Sequence, residues 1–159
     1  RDRETISTAL TLAGTGHLVL STFHTFNCTQ TVEQISDFFP SDEQEHIRKQ
    51  FASVMRAIIS QKLFLRTDGK GRIPAYEILT GTSAVRNLIR DGSTHQVHTI
   101  MQASAEEGMV TFDSSLGDLV AKRIIAYEDA LPYMMDTTSL KRPPPPGRIL
   151  DRGATRPPR

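Results

Sequence analysis

Tryptophan is absent, aromatics make up 6% of the chain, and a single cysteine, Cys28, stands among 159 residues. One thiol excludes an internal disulfide and any cysteine-rich zinc site. No apolar run approaches the roughly 20 residues that a membrane-crossing helix needs, and no signal peptide opens the chain. A soluble, cytoplasmic protein is expected. There is also no initiating methionine: the chain starts at Arg1-Asp2-Arg3-Glu4 with a helix already under way. That start reads as a cut, either an engineered boundary or an incomplete reading frame.

Net charge is small over the whole chain, +1 from 19 Lys/Arg against 18 Asp/Glu, but it is unevenly spread. Residues 141–159 carry six Arg/Lys against one Asp, which leaves 1–140 at −4. So acidic a body is a poor binder of nucleic acid. With 38% hydrophobic residues the chain can bury a modest core, enough for one compact unit and a tail.

The most informative stretch runs from Gly14 to Thr25. Asp2 is placed to cap a helix over 3–14 with Ile6, Ala9, Leu10 and Ala13 on one face. Gly14-Thr15-Gly16 stops it, because glycine takes the left-handed geometry that closes helices. His17 to Phe23 is then mostly apolar and β-branched, which predicts a buried strand of a parallel sheet. His24 falls at that strand's carboxyl end, the edge where open α/β sheets bind ligands. His17 falls at the other end, roughly 23 Å away at about 3.3 Å per residue, too far to share one ligand.

After a polar loop, Thr29 is placed to cap a short helix with Val32 and Ile35 inward, ended by Phe38-Phe39-Pro40. Ser41-Asp42-Glu43-Gln44 has the form of a capping box. The helix it opens is predicted to bury Ile47, Phe51, Val54 and Ile58 and to expose Glu45, Arg48 and Lys49. Residues 59–66 and 72–79 read as strands joined by the hairpin signal Asp68-Gly69-Lys70-Gly71, with Pro74 keeping the second at an edge. Beyond Gly81 the pattern becomes helical: 83–90 capped by Thr82 and ended by Asp91-Gly92, 94–106, one capped by Thr111 with Phe112, Leu116, Leu119 and Val120 inward, and 127–135 without a good cap. Past Thr137, Pro143 to Pro146 and scattered arginines predict a disordered or polyproline tail.

Other reactive side chains fit bland roles better. His95 and His98 are spaced as metal ligands but have no third partner in the pattern, so a solvated helix face is expected. His46 lies near a charged helix start. Cys28 beside the His24 loop lacks an orienting acid or oxyanion donors for nucleophilic chemistry.

Arg1-Asp2-Arg3-Glu4-Thr5-Ile6, Thr15-Gly16-His17-Leu18-Val19 and Thr22-Phe23-His24-Thr25, in this order and spacing, resemble the secretion and type IV pilus motor ATPases, with His24 in the position of their His box. Ala84-Val85-Arg86-Asn87-Leu88-Ile89-Arg90 is similar to the short helix motif of the PilT-type pilus-retraction branch. Gly108 to Asp113 and Tyr127 to Leu131 fit the family's last helices. Ser60-Gln61-Lys62-Leu63 reaches Gly71-Arg72-Ile73-Pro74-Ala75-Tyr76-Glu77 through a tight hairpin with no cysteine, where assembly-type relatives insert a four-cysteine zinc module; that favours retraction. Missing from these residues are the Gly-rich phosphate loop (Walker A), the Walker B carboxylate and the acidic box.

The resemblance implies an α/β fold, the C-terminal half of a RecA-like P-loop NTPase sheet in 1–80 and a helical subdomain in 81–136; it does not extend to 137–159, where composition predicts a disordered basic tail. It implies a parent that is a hexameric motor ATPase using ATP and Mg²⁺, docked on an inner-membrane pilus platform and powering retraction and twitching motility. His24, His17 and Arg1 would have supporting roles at the nucleotide, and residues 84–90 would couple hydrolysis to pulling. His17 is open to a role at a subunit boundary or in orienting the turn. Arg1 and Arg3 are open to phosphate, a neighbouring subunit or solvent. Arg86 and Arg90 share one helix face, and Arg86→Ala is expected to leave folding intact while disabling retraction. This chain alone is expected neither to bind ATP tightly nor to hydrolyse it. The alternatives are a shortened non-catalytic paralogue that regulates a complete motor, or a secretion or DNA-transfer ATPase of the same superfamily.

Overall fold

The structure is a computed structural model, and it describes residues 2–144. Arg1 and residues 145–159, which include most of the expected tail, lie outside the described residues.

Helix α1 spans Arg3–Gly14, and Asp2 caps it by accepting the Thr5 N–H at 2.8 Å. Ile6 and Leu10 are its buried face. It closes as the glycines predict: Gly16 takes φ +93°, and the His17 N–H reaches back to the Leu12 carbonyl at 3.2 Å.

The expected strand over 17–23 is not formed. Residues 17–25 have no regular structure and pair with no strand, and Leu18 and Leu20 are 81% and 87% exposed. An apolar run becomes a buried strand only where neighbouring strands take up its backbone groups and a layer covers each face. Among the described residues the one sheet is two-stranded, and it lies elsewhere.

Helix α2 spans Cys28–Asp37 and is capped by Asn27, whose side chain accepts the Gln30 N–H at 2.8 Å; Thr29 lies inside the helix instead of capping it. Helix α3 spans Ser41–Val54. Its capping box is not realised, because Pro40 occupies the cap and Ser41 already has helical geometry. Gln44 turns back to the Phe39 carbonyl at 3.1 Å. The helix ends before Ile58, which belongs to the next strand.

Strands β1 (Ala57–Leu65) and β2 (Arg72–Thr80) form an antiparallel hairpin with Ser60 opposite Glu77 and Leu63 opposite Pro74. The turn uses Gly69 and Gly71 at φ +70° and +89°, and the Asp68 carboxylate accepts the Lys70 N–H at 2.9 Å. Hydrogen bonding to Arg66 holds the Asp68 carboxyl down to about 2. The turn docks outward as well: Thr67 donates its N–H to the Ile124 carbonyl at 2.9 Å and its hydroxyl to the Arg123 carbonyl at 2.7 Å.

Helix α4 (Ser83–Arg90) follows with the predicted bounds, capped by Thr82. The single helix expected over 94–106 is broken into a 3-10 turn at Thr94–Gln96, helix α5 at Val97–Ala103 and a second 3-10 turn at Ala105–Glu107, closed by Gly108 at φ +79°. Helix α6 (Phe112–Ala121) is capped by Thr111, and α7 is short (Tyr127–Ala130), running into a 3-10 turn at Leu131–Tyr133 in place of the longer helix expected to 135.

Three apolar clusters hold these elements. Ile6, Leu10, Ile35, Phe39 and Ile47 join α1, α2 and α3. Cys28, Val32, Ala52, Met55, Leu79, Val85, Ile89, Val97, Met101 and Met109 join α2 and α3 to β2, α4 and α5. Phe64, Ala75, Leu116, Val120, Ile125, Ala130 and Leu140 cover the turn end of the hairpin. The middle cluster therefore draws on both sides of residue 80. Leu140, from the stretch read as tail, is 6% exposed in the third cluster.

Gly81 is confined at the junction of β2 and α4, where an added Cβ would stand 2.4 Å from the Met55 carbonyl oxygen. Gly81→Ala should cost roughly 1–3 kcal/mol of unfolding free energy. Gly14→Ala, in open space at the end of α1, should be neutral or gain up to about 1 kcal/mol. Urea unfolding of both checks this; equal stability of the two variants contradicts the crowding at Gly81.

Candidate functional site

His24 is exposed, and the loop behind it is tightly tied. The Thr25 and Thr31 hydroxyls share a 2.6 Å hydrogen bond, and the Phe26 N–H donates to Gln30 Oε1 at 2.8 Å. Asn27 caps α2, and the Cys28 N–H donates to Glu77 Oε2 at 2.6 Å. His24 thus stands four residues before a helix start that is bonded to the sheet. It does not stand at the end of a strand, as the sequence predicts. His17 is also exposed and shares a 3.1 Å hydrogen bond with the Thr15 hydroxyl, so it belongs to the turn that closes α1. Arg1 lies outside the described residues. Arg3 pairs with Glu43 at the start of α3 and lies 5.7 Å from the Phe39 ring centre.

Glu77 lies in the Gly71–Glu77 motif, and its partner comes from another element of the fold. It is 3% exposed, on the inward face of β2, with its carboxylate at the amino end of α2. A negative charge is favoured there, because the first turn's N–H groups lack partners within the helix. The sequence signal was strand alternation: Ala75, Glu77 and Leu79 fall on the same buried face. Cys28 packs against Glu77, fully buried, and its thiol donates to the Ile58 carbonyl at 3.4 Å. Burial, and then the Glu77 charge, push this thiol up to about 12 from an ordinary 9.0. A thiolate nucleophile is therefore disfavoured here.

The 84–90 motif forms α4. Val85 and Ile89 are fully buried, Leu88 packs partly against the same cluster, and Ala84, Asn87 and Arg90 face solvent. Arg90 donates to Asn87 Oδ1 at 2.8 Å. Arg86 departs from the expectation of a free outward arginine. It donates from Nε to the Gly81 carbonyl at 2.9 Å, from Nη2 to Met55 at 3.1 Å and from Nη1 to Ser53 at 3.3 Å.

The two histidines at 95 and 98 line a cavity of about 250 Å³ with Glu33, Glu77, Asn27 and Gln30. Glu33 is engaged by the Thr94 hydroxyl at 2.7 Å, and among the described residues no group of three or more His, Cys, Asp or Glu is arranged to hold a metal. A larger cavity of about 380 Å³ lies between β2, α5 and α6. Neither cavity is lined by His17, His24 or any residue of α4, so the predicted site residues are not gathered into one pocket.

The described fold superposes on a crystal structure of the pilus retraction motor PilT with bound ADP, with a TM-score of 0.78 and 39% identity, over 88% of this chain and 39% of that one. Residues 1–68 match the type II/IV secretion system protein family. It is 45% identical over 130 residues to a twitching motility protein of Neisseria gonorrhoeae, covering 82% of this chain and 35% of that protein. It is 42% identical to the type IV pilus retraction ATPase PilT of Pseudomonas aeruginosa, covering 82% and 38%. The chain therefore spans little more than a third of the length of these relatives.

The Cys28 thiol yields a pH dependence. Its folded pKa of about 12 lies above the ordinary 9.0, so between these values the unfolded chain releases a proton that the folded chain keeps. Stability from this group is complete below pH 9 and is lost as pH rises towards 12. Native protein at pH 8 should resist iodoacetamide until it is unfolded. Cys28→Ala should flatten the fall of the urea midpoint above pH 9; an unchanged slope would contradict the assignment.

Proposed function

We propose that the protein carrying this segment is a motor ATPase that couples ATP hydrolysis to type IV pilus retraction and twitching motility. The observation that carries this reading is the reach of the match: 130 of 159 residues align with a twitching motility protein. A match that long includes α4, the element that resemblance assigns to pulling. The cysteine-free six-residue turn 66–71 between β1 and β2 favours retraction over assembly.

In this proposal the parent is a hexamer in the cytoplasm, seated on an inner-membrane pilus platform, that uses ATP and Mg²⁺. No helix of the described residues is long and apolar enough to cross a membrane. The residues present here do not by themselves fit a nucleotide. The 159 residues contain no Gly-rich loop ending in Lys-Ser/Thr, and His24 is exposed and lines neither cavity. The segment's share is instead positional. The Thr25–Thr31, Asn27 and Glu77 bonds hold the His24 loop at the start of α2, where the imidazole is accessible to a phosphate held by another stretch of polypeptide. His17 and Arg1 are assigned supporting roles, and residues 84–90 the coupling role.

The test uses the complete protein and this chain side by side. The complete protein should hydrolyse ATP with saturable Mg²⁺ dependence and restore twitching to a retraction-deficient strain. Residues 1–159 alone should show no saturable turnover. His24→Ala in the complete protein should lower kcat on the order of 10²-fold or more, in the range of a lost transition-state donor, with little change in Tm. Failure of the complete protein to restore twitching would sink the motor reading, and turnover by 1–159 would sink the division of labour.

A further inference from the structure

Arg86 is unlike the other charged side chains of the helices. The ion pairs of Lys49 with Glu45 and Arg142 with Glu128 join exposed groups, the kind that contributes little. Arg86 is half-buried, and its guanidinium is divided among three backbone carbonyls from two separate chain turns. Ser53 and Met55 belong to the exit of α3, where the last carbonyls have no partners inside the helix. That last turn holds no basic residue of its own, so the negative end of α3 is met by an arginine from α4. Gly81 belongs to the turn from β2 into α4. The two turns are pressed together there: the Gly81 N–H donates to the Arg56 carbonyl at 2.7 Å, and a Cβ on Gly81 would strike the Met55 oxygen.

We propose that Arg86 locks this joint, so that α3, the base of the hairpin and α4 move as one rigid body. A displacement delivered to α4 then passes into α3 instead of being lost by rocking about Gly81. From α3 it reaches α1 through the Arg3–Glu43 pair and the Ile6, Leu10 and Ile47 contacts, and α1 leads directly into the His17–His24 segment. Arg86 is a positioning residue in this scheme; it does not touch the exposed histidines. The charge suits the negative end of α3, and the planar fork does the locking: a lysine keeps the charge but concentrates its donors at one point and cannot serve three separated carbonyls. The assignment of a motor role to the joint rests on the reading of the previous subsection; the lock itself does not.

Two measurements on the 159-residue chain decide the lock. In the unmodified protein, the Arg86 Nε–H should exchange with water roughly tenfold or more slowly than that of Arg90, as a bonded, half-buried donor does. In Arg86→Lys, the Gly81 and Arg86 amides should exchange roughly tenfold faster, while the Ile78 amide, bonded to Val110 at 2.8 Å, keeps its rate. Equal exchange at the two arginines, or uniform acceleration of all amides as expected for Leu88→Ala, would overturn it. The first measurement needs no variant and so survives a variant that fails to fold. In the complete protein, Arg86→Lys should retain ATP turnover and lose twitching, and Lys49→Arg, in an exposed pair on α3, should retain both. Retained twitching in Arg86→Lys overturns transmission through the joint. A complete unmodified protein that supports no twitching overturns only the motor reading.

Discussion

A two-stranded hairpin is marginal in water by itself, and β1 and β2 persist because helices cover their inward face along its whole length. Ile58, Ser60, Lys62 and Phe64 alternate with Leu79, Glu77, Ala75 and Ile73 across the ladder on that side. At the open end Leu79 joins the cluster of α2, α3, α4 and α5, and at the turn end Phe64 and Ala75 join that of α6 and α7. Fully burying an aliphatic side chain such as Leu79 or Leu116 stabilises by roughly 1.5–3 kcal/mol. The hairpin gives every helix after α1 something to pack on or to follow from.

The middle of that inward face is polar, and this decides which end of α2 meets the sheet. Ser60 lies opposite Glu77, and the carboxylate meets the first N–H of α2. A buried carboxylate without such a partner would be strongly unfavourable, so α2 is drawn amino end first towards β2. The loop carrying His24 is fixed by the same contact. At the far end of the neighbouring helix the charges are reversed: the carboxyl end of α3 meets Arg86. One acidic and one basic side chain, each on a different strand or helix, thus answer the positive start of α2 and the negative finish of α3.

The hairpin's other face is left apolar, with Ile59, Leu63 and Leu65 each more than half exposed and Tyr76 42% exposed. The extended stretch from His17 to Thr25 likewise presents Leu18 and Leu20 outward. These are the places where apolar composition and burial part company.

Local signals were sufficient for most elements. Asp2, Thr82 and Thr111 cap the helices they were read to cap, Gly16, Gly92 and Gly108 take the left-handed geometry that ends theirs, and the glycines of the turn close the hairpin. Each of these is decided within a few residues by backbone sterics and one side-chain bond, so a linear pattern contains the whole cause. The strand at 17–23, the partner of Glu77 and the anchorage of Arg86 are different. A strand needs a neighbour for its backbone, a buried carboxylate needs a donor from another element, and an arginine on an otherwise ordinary amphipathic helix looks solvated until the exit of α3 is brought beside it. The stretch 17–25 meets no such neighbour, whereas the partners of Glu77 and Arg86 lie 30 to 50 residues away along the chain, and only the tertiary structure brings them within reach.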